Sequence, residues 1–209
     1  MSLKLDASVL AAAIRSDVNE LTDLKGYGNS AVCLIDAVFS INLDYVHQVG
    51  PMCSRCEAEF GAVGVQDLKT LVEYFDDRGT SAVVVTPMTS HRTPGRSSIL
   101  KAEAVRLEAD ILLSHGINTC ADICASAGDA EVAYDFRSVT GQTDVALWYL
   151  FMLAGRTAYA KPDRRLWGYI VGHGIRPRSN LDALTLIREA SGLLGRTPRE
   201  IDHSLWTST

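Results

Sequence analysis

Asp163 has the most chemically pointed surroundings of any carboxylate in this sequence. It follows Tyr159-Ala160-Lys161-Pro162 and opens onto Arg164-Arg165, so three cations lie within two positions of it. Proline is excluded from helix interiors and Asp is favoured at helix starts, so the spacing predicts a helix from Arg164 to Val171 with Asp163 as its cap. Such a carboxylate either caps its helix and does nothing more, or offers a fixed negative charge to a reacting group. Lys161, Arg164 and Arg165 read by default as a solvated basic loop. Cys53-Ser54-Arg55-Cys56 has the spacing of half a zinc site or of a redox pair. No second ligand pair matches it, because Cys120 and Cys124 stand one helical turn apart on another segment. His47, His91, His115, His173 and His203 form no His-Glu-x-x-His pattern, and nothing has the form of a serine nucleophile elbow. No metal site is expected.

Helical periodicity dominates the segments that must position these groups. Leu68, Leu71, Val72 and Phe75 follow the i, i+3, i+4, i+7 pattern of one buried stripe. Leu100, Ala104, Leu107 and Ile111 read as another, stopped by His115-Gly116. Leu184, Ile187, Leu193 and Leu194 mark a further helix ended by Gly195. In the last segment Thr197, Pro198 and Glu200 form a capping-box start. Val83-Val84-Val85 is the one strand-like run, and Pro87 after it favours an extended connection. The chain is therefore expected to be all-α, with about ten short helices.

Residues 119–170 carry the most informative arrangement. A short helix near Ala121–Ala127 ends at Gly128, and a second covers Ala130–Phe136. Arg137-Ser138-Val139-Thr140-Gly141-Gln142 turns the chain, and Thr143 or Asp144 caps the ten-residue apolar helix Val145–Ala154. A tight glycine turn between two helices aims backbone N–H groups outward, where the next helix's dipole favours a phosphate. Glycine turns between helices are common, and taken alone this one reads by default as a plain structural turn.

Taken together, the turn at 137–143, the apolar helix after it and Lys161-Pro162-Asp163 resemble the helix–hairpin–helix base-excision DNA repair glycosylase superfamily. The likeness is to a poorly characterised bacterial branch without an iron–sulfur cluster. Ser30–Ile41, Ile99–Val105 and Pro198–Trp206 extend it along nearly the whole chain. Two departures are plain. The turn keeps Gly141 but has Val139 where the family has its first glycine, and Thr143 or Asp144 stands where bifunctional members carry a Schiff-base lysine. No Cys lies beyond Cys124 to hold an iron–sulfur loop.

The resemblance implies two packed helical subdomains with a cleft between them. Residues 31–157 would form one, including the helix–hairpin–helix at about 130–154; residues 1–30 and 158–209 would form the other. It implies a monofunctional DNA N-glycosylase that removes a damaged or mismatched base from double-stranded DNA. Asp163 would be the catalytic carboxylate, stabilising positive charge on the deoxyribose and orienting water. Val139, Thr140, Gly141, Gln142 and Thr143 would grip the DNA backbone, with Lys161, Arg164 and Arg165 neutralising phosphates. Asn42 would fill the gap left by the flipped base, and Tyr159 and Trp167 would line the pocket. No cofactor is implied beyond a monovalent cation at the hairpin. The alternative is an inactive member of the fold that binds DNA or a protein.

Composition narrows these readings. The 209 residues carry 20 Lys+Arg and 25 Asp+Glu, a net charge of −5 that argues against tight indiscriminate binding of polyanions. The charge is uneven. Residues 1–149 hold 11 basic and 20 acidic residues, a balance of −9, and residues 150–209 hold 9 and 5, a balance of +4. Five scattered cysteines do not make a secreted disulfide scaffold and fit reduced thiols. Neither a signal peptide nor a membrane span is expected, since the longest apolar run, Val145–Ala154, is far short of the roughly 20 residues a span needs. The expected location is the cytoplasm of a bacterium.

Overall fold

A computed structural model describes residues 3–18 and 21–208, with the backbone alone described for Leu3, Val84 and Val85. Among the described residues there are twelve α-helices, one π-helical turn and no strand. A single isolated antiparallel bridge joins Arg92 to Leu100. The helices are α1 (Leu3–Asp17), α2 (Ser30–Phe39), α3 (Gly50–Val63), α4 (Leu68–Arg78), α5 (Thr80–Val85) and α6 (Lys101–Ser114). They continue as α7 (Cys120–Ala125), α8 (Ala130–Phe136), α9 (Asp144–Ala154), α10 (Arg164–Gly172), α11 (Asn180–Leu194) and α12 (Pro198–Ser208). The π turn spans Tyr45–Val49. Among the described residues, no helix is long and apolar enough to cross a membrane.

The chain divides into two compact units. One holds residues 1–26 and 156–209; the other holds Tyr27–Gly155. Tyr27 is tied into the second unit, where its backbone N–H donates to the Leu153 carbonyl at 2.9 Å and its hydroxyl to Asp36 at 2.8 Å.

In the Tyr27–Gly155 unit, α2 is buried on every side, all ten residues of it. The apolar helix α9 packs against it. Asn29 starts α2 by accepting the N–H groups of Ala31 and Val32. In the other unit α1 lies along α11, and α12 packs on α10 and α11. The capping box read from the sequence forms at the start of α12: Thr197 N–H donates to Glu200 at 2.7 Å, and Glu200 N–H to the Thr197 hydroxyl at 3.2 Å.

Two expectations are corrected. Residues 80–85 are helical, not extended: Val83 N–H donates to Gly79 O and Thr86 N–H to Ala82 O. With no neighbouring strand to pair with, the β preference of three valines has nothing to act on, and context overrides it. The buried face of α6 is also rotated from the expected stripe. Leu107 is 42% exposed, whereas Lys101 and Glu108 are buried with Ala104, Val105, Ala109 and Leu112.

Candidate functional site

Residues 161–165 connect an irregular segment to α10. Asp163 is its N-cap: Oδ1 accepts the backbone N–H of Arg165 at 2.9 Å and of Leu166 at 3.2 Å. The Asp163 N–H donates to the Lys161 carbonyl at 2.6 Å. Both capping bonds fall on Oδ1, so the structural role of this carboxylate uses one of its two oxygens.

α12 brings a second carboxylate to this segment. Asp202 is half-buried, and its carboxylate accepts the Lys161 backbone N–H. Burial pushes its pKa up to about 7; the Asp163 charge adds to the rise, and the Lys161 charge and N–H oppose it. Burial first, and the neighbouring Asp163 charge second, thus hold the Asp202 carboxyl well above the ordinary carboxylate value. Sequence reasoning missed Asp202. It lies 39 positions from Asp163, and only the approach of α12 to the start of α10 joins them.

The remaining groups around this segment are held in defined ways. Arg164 is exposed. The Arg165 guanidinium carbon sits 5.3 Å over the Trp206 ring, and Nη1 donates to the Trp206 carbonyl at 3.4 Å. Tyr159 is half-buried beneath Arg188, whose guanidinium carbon is 4.8 Å from the ring centre, while Arg188 Nε donates to the Ala158 carbonyl. Trp167 is half-buried, and its Nε1 donates to Asn180 Oδ1 at 2.8 Å. The residues 1–26 and 156–209 carry 12 Lys+Arg and 9 Asp+Glu, a balance of +3.

The expected DNA-gripping turn belongs to the other unit, which holds 8 Lys+Arg and 16 Asp+Glu, a balance of −8. α8 and α9 flank a seven-residue turn. Gly141 has φ 86°, and a Cβ there would stand 2.7 Å from Thr93 Cβ and 2.9 Å from Pro94 Cδ, so glycine is required twice over. Val139 and Gln142 are buried, Thr140 is half-buried, and Thr143 is exposed and caps α9. Neither side-chain amide atom of Gln142 has a hydrogen-bond partner. Arg137 pairs with Asp144 in the first turn of α9, so that helix end already carries a carboxylate. A monovalent cation held in the turn would share oxygens that are already in use. The carbonyls of Asp135, Phe136 and Val139 accept the N–H groups of Ser138, Val139 and Gln142.

Asn42 lies just beyond α2, exposed, with φ 58°, the left-handed conformation Asn tolerates after a helix. Beside it, Lys101 Nζ donates to the carbonyls of Val38 at 2.8 Å, Phe39 at 3.1 Å and Ile41 at 2.7 Å, a buried cation at the negative end of α2. Within α2, Asp36 is wholly buried. It accepts hydroxyls from Tyr27 at 2.8 Å, Ser40 at 2.7 Å, Tyr45 at 3.3 Å and Tyr149 at 3.4 Å. The sequence gives no local signal for this cluster, because its members come from four different segments.

Cys53 and Cys56 are both buried in α3, and burial raises both thiols, Cys56 to about 12. Among the described residues no three His, Cys, Asp or Glu side chains are grouped to hold a metal ion.

No curated protein and no solved structure matches this chain. A family model does match it, over residues 6–209, nearly its whole length: the chain belongs to the family described as Domain of unknown function (DUF8548).

Proposed function

We propose that the chain is a monofunctional DNA N-glycosylase-like hydrolase acting on a damaged or mismatched base in double-stranded DNA. The observation that carries the reading is the approach of α12, with Asp202 bonded to the Lys161 N–H, to the basic segment 161–165 that holds Asp163. N-glycoside hydrolysis builds positive charge on the sugar, which a fixed carboxylate stabilises. It also moves protons, because water loses one while the departing base gains one. Asp163 supplies the charge. Asp202, whose carboxyl burial pushes up to about 7, supplies the proton-holding partner. Lys161, Arg164 and Arg165 are the cations for the phosphates that flank the flipped nucleotide. Tyr159 and Trp167 are the aromatic surfaces nearest in sequence to that carboxylate.

The test is incubation with duplexes carrying uracil, alkylated or oxidised bases, followed by alkali to cleave abasic sites. Abasic product from at least one duplex, lost in Asp163→Asn, supports the reading. No product from any of them, or product undiminished in Asp163→Asn, overturns it.

A second reading rests on the turn at 137–143. Its acidic unit, the Arg137–Asp144 pair and the buried Val139 and Gln142 favour a member of the fold that binds a partner without catalysis. Retention of duplex or of a partner without abasic product supports this reading over the first.

A further inference from the structure

The unit of residues 1–26 and 156–209 holds a cavity of about 460 Å³ whose walls include none of residues 161–165. Asp6 of α1 lines it, with Arg176, Pro177 and Arg178 from the connection between α10 and α11, and Asp182 and Leu186 of α11. The packing of α1 along α11 brings Asp6 to these residues from the far end of the sequence. The volume lies in the range of small-molecule sites, roughly 300–1,000 Å³.

The four charged side chains in these walls are not equally satisfied. Asp182 Oδ2 accepts the Arg178 backbone N–H at 3.1 Å and Arg178 Nε at 3.4 Å, so this acid and this cation neutralise each other. Asp6 and Arg176 are left over. Asp6 Oδ1 is withdrawn from water and meets no donor. Arg176 is exposed, and its Nη1 donates to the Val171 carbonyl at 3.0 Å. Among the described residues no carboxylate pairs with its guanidinium. The buried Leu186 adds an apolar side chain to the same walls.

We infer that this cavity binds a small zwitterion, a protonated amine and a carboxylate carried on one aliphatic frame, as in a free amino acid. A polar atom kept from water without a partner is costly, and a cationic donor answers both the charge and the lone pairs of Asp6. A guanidinium presents a planar fork of N–H donors that matches a carboxylate, which is the role of Arg176. Leu186 gives the frame apolar surface. A simple cation would leave Arg176 unanswered, and a simple anion would meet the charge of Asp6.

The test is calorimetric titration of the full chain with three probes. L-leucine carries both charges, isoamylamine is its frame without the carboxylate, and isocaproate is its frame without the amine. The expected result is saturable binding of leucine, with each single-charge analogue binding about tenfold weaker or worse. Asp6→Asn and Arg176→Gln should each weaken leucine by about tenfold. Should either variant fail to fold, the two analogues still test the same charges in the wild-type chain. No saturable binding of leucine, an analogue that binds as tightly as leucine, or leucine binding unchanged in a folded Asp6→Asn overturns the inference.

Discussion

Asp36 is wholly buried and Asp202 half-buried, and their neighbours differ completely. Around Asp36 stand four hydroxyl donors from Tyr27, Ser40, Tyr45 and Tyr149, each placed by a different part of its unit. Beside Asp202 stands another carboxylate, Asp163, with one backbone N–H from Lys161. Donors favour the charged form of an acid, and a like charge disfavours it. The first setting locks a carboxylate into the packing. In the second, burial first and the neighbouring charge second push the carboxyl up to about 7, in the range acid–base chemistry uses. Glu108 on α6 is a third case: wholly buried, with no hydrogen-bond partner at either oxygen and a pKa pushed by burial up to about 10.

The contrast can be broken by substitution. Asp36→Ala strands four hydroxyls and is expected to cost about 3–5 kcal/mol in urea unfolding; a loss below about 1 kcal/mol would remove the distinction from Asp202. Asp163→Asn keeps a good helix cap, so stability should change by less than about 1 kcal/mol. In the same variant base release should fall by about 100-fold or more. Asp202→Asn should lower the rate by about tenfold and flatten its pH dependence around 7, where the wild-type carboxyl titrates; an unchanged pH profile would leave Asp163 acting alone. Glu108→Met should stabilise the chain by about 1–2 kcal/mol, because it replaces an orphaned acid with an apolar side chain of similar length.

The same glutamate fixes the sign of a pH effect. Its folded value, about 10, lies above the ordinary carboxyl value, so the folded chain keeps a proton that the unfolded chain releases. Stability from this group is full below the unfolded value of about 4.3 and is lost as pH rises through the folded one. Thermal melts between those limits should therefore fall with pH in the wild type and fall less in Glu108→Met.

These residues also mark what the sequence could disclose. The starts of α10 and α12 are local events, written in Pro162-Asp163 and in Thr197-Pro198-x-Glu200, and both appear in the expected places. The apolar run of α9 and the stripe of α4 are equally local. The buried face of α6 stayed hidden, because two of its positions hold Lys101 and Glu108, which a polarity pattern assigns to solvent. Lys101 is affordable there only because three carbonyls at the end of α2 meet its ammonium, a partner some 60 residues away. Asp202 stayed hidden for the same kind of reason. Its segment was legible as a helix, but its chemistry depends on which helix it approaches.

A helix with no solvent-facing side leaves an unusual imprint on variation. α2 is buried at all ten of its positions. In a survey of tolerated substitutions, an ordinary surface helix shows permissive positions recurring with each turn. α2 should show none, an unbroken block of intolerance from Ser30 to Phe39. In amide exchange its N–H groups should be among the last to yield to solvent, opening only when the whole Tyr27–Gly155 unit opens.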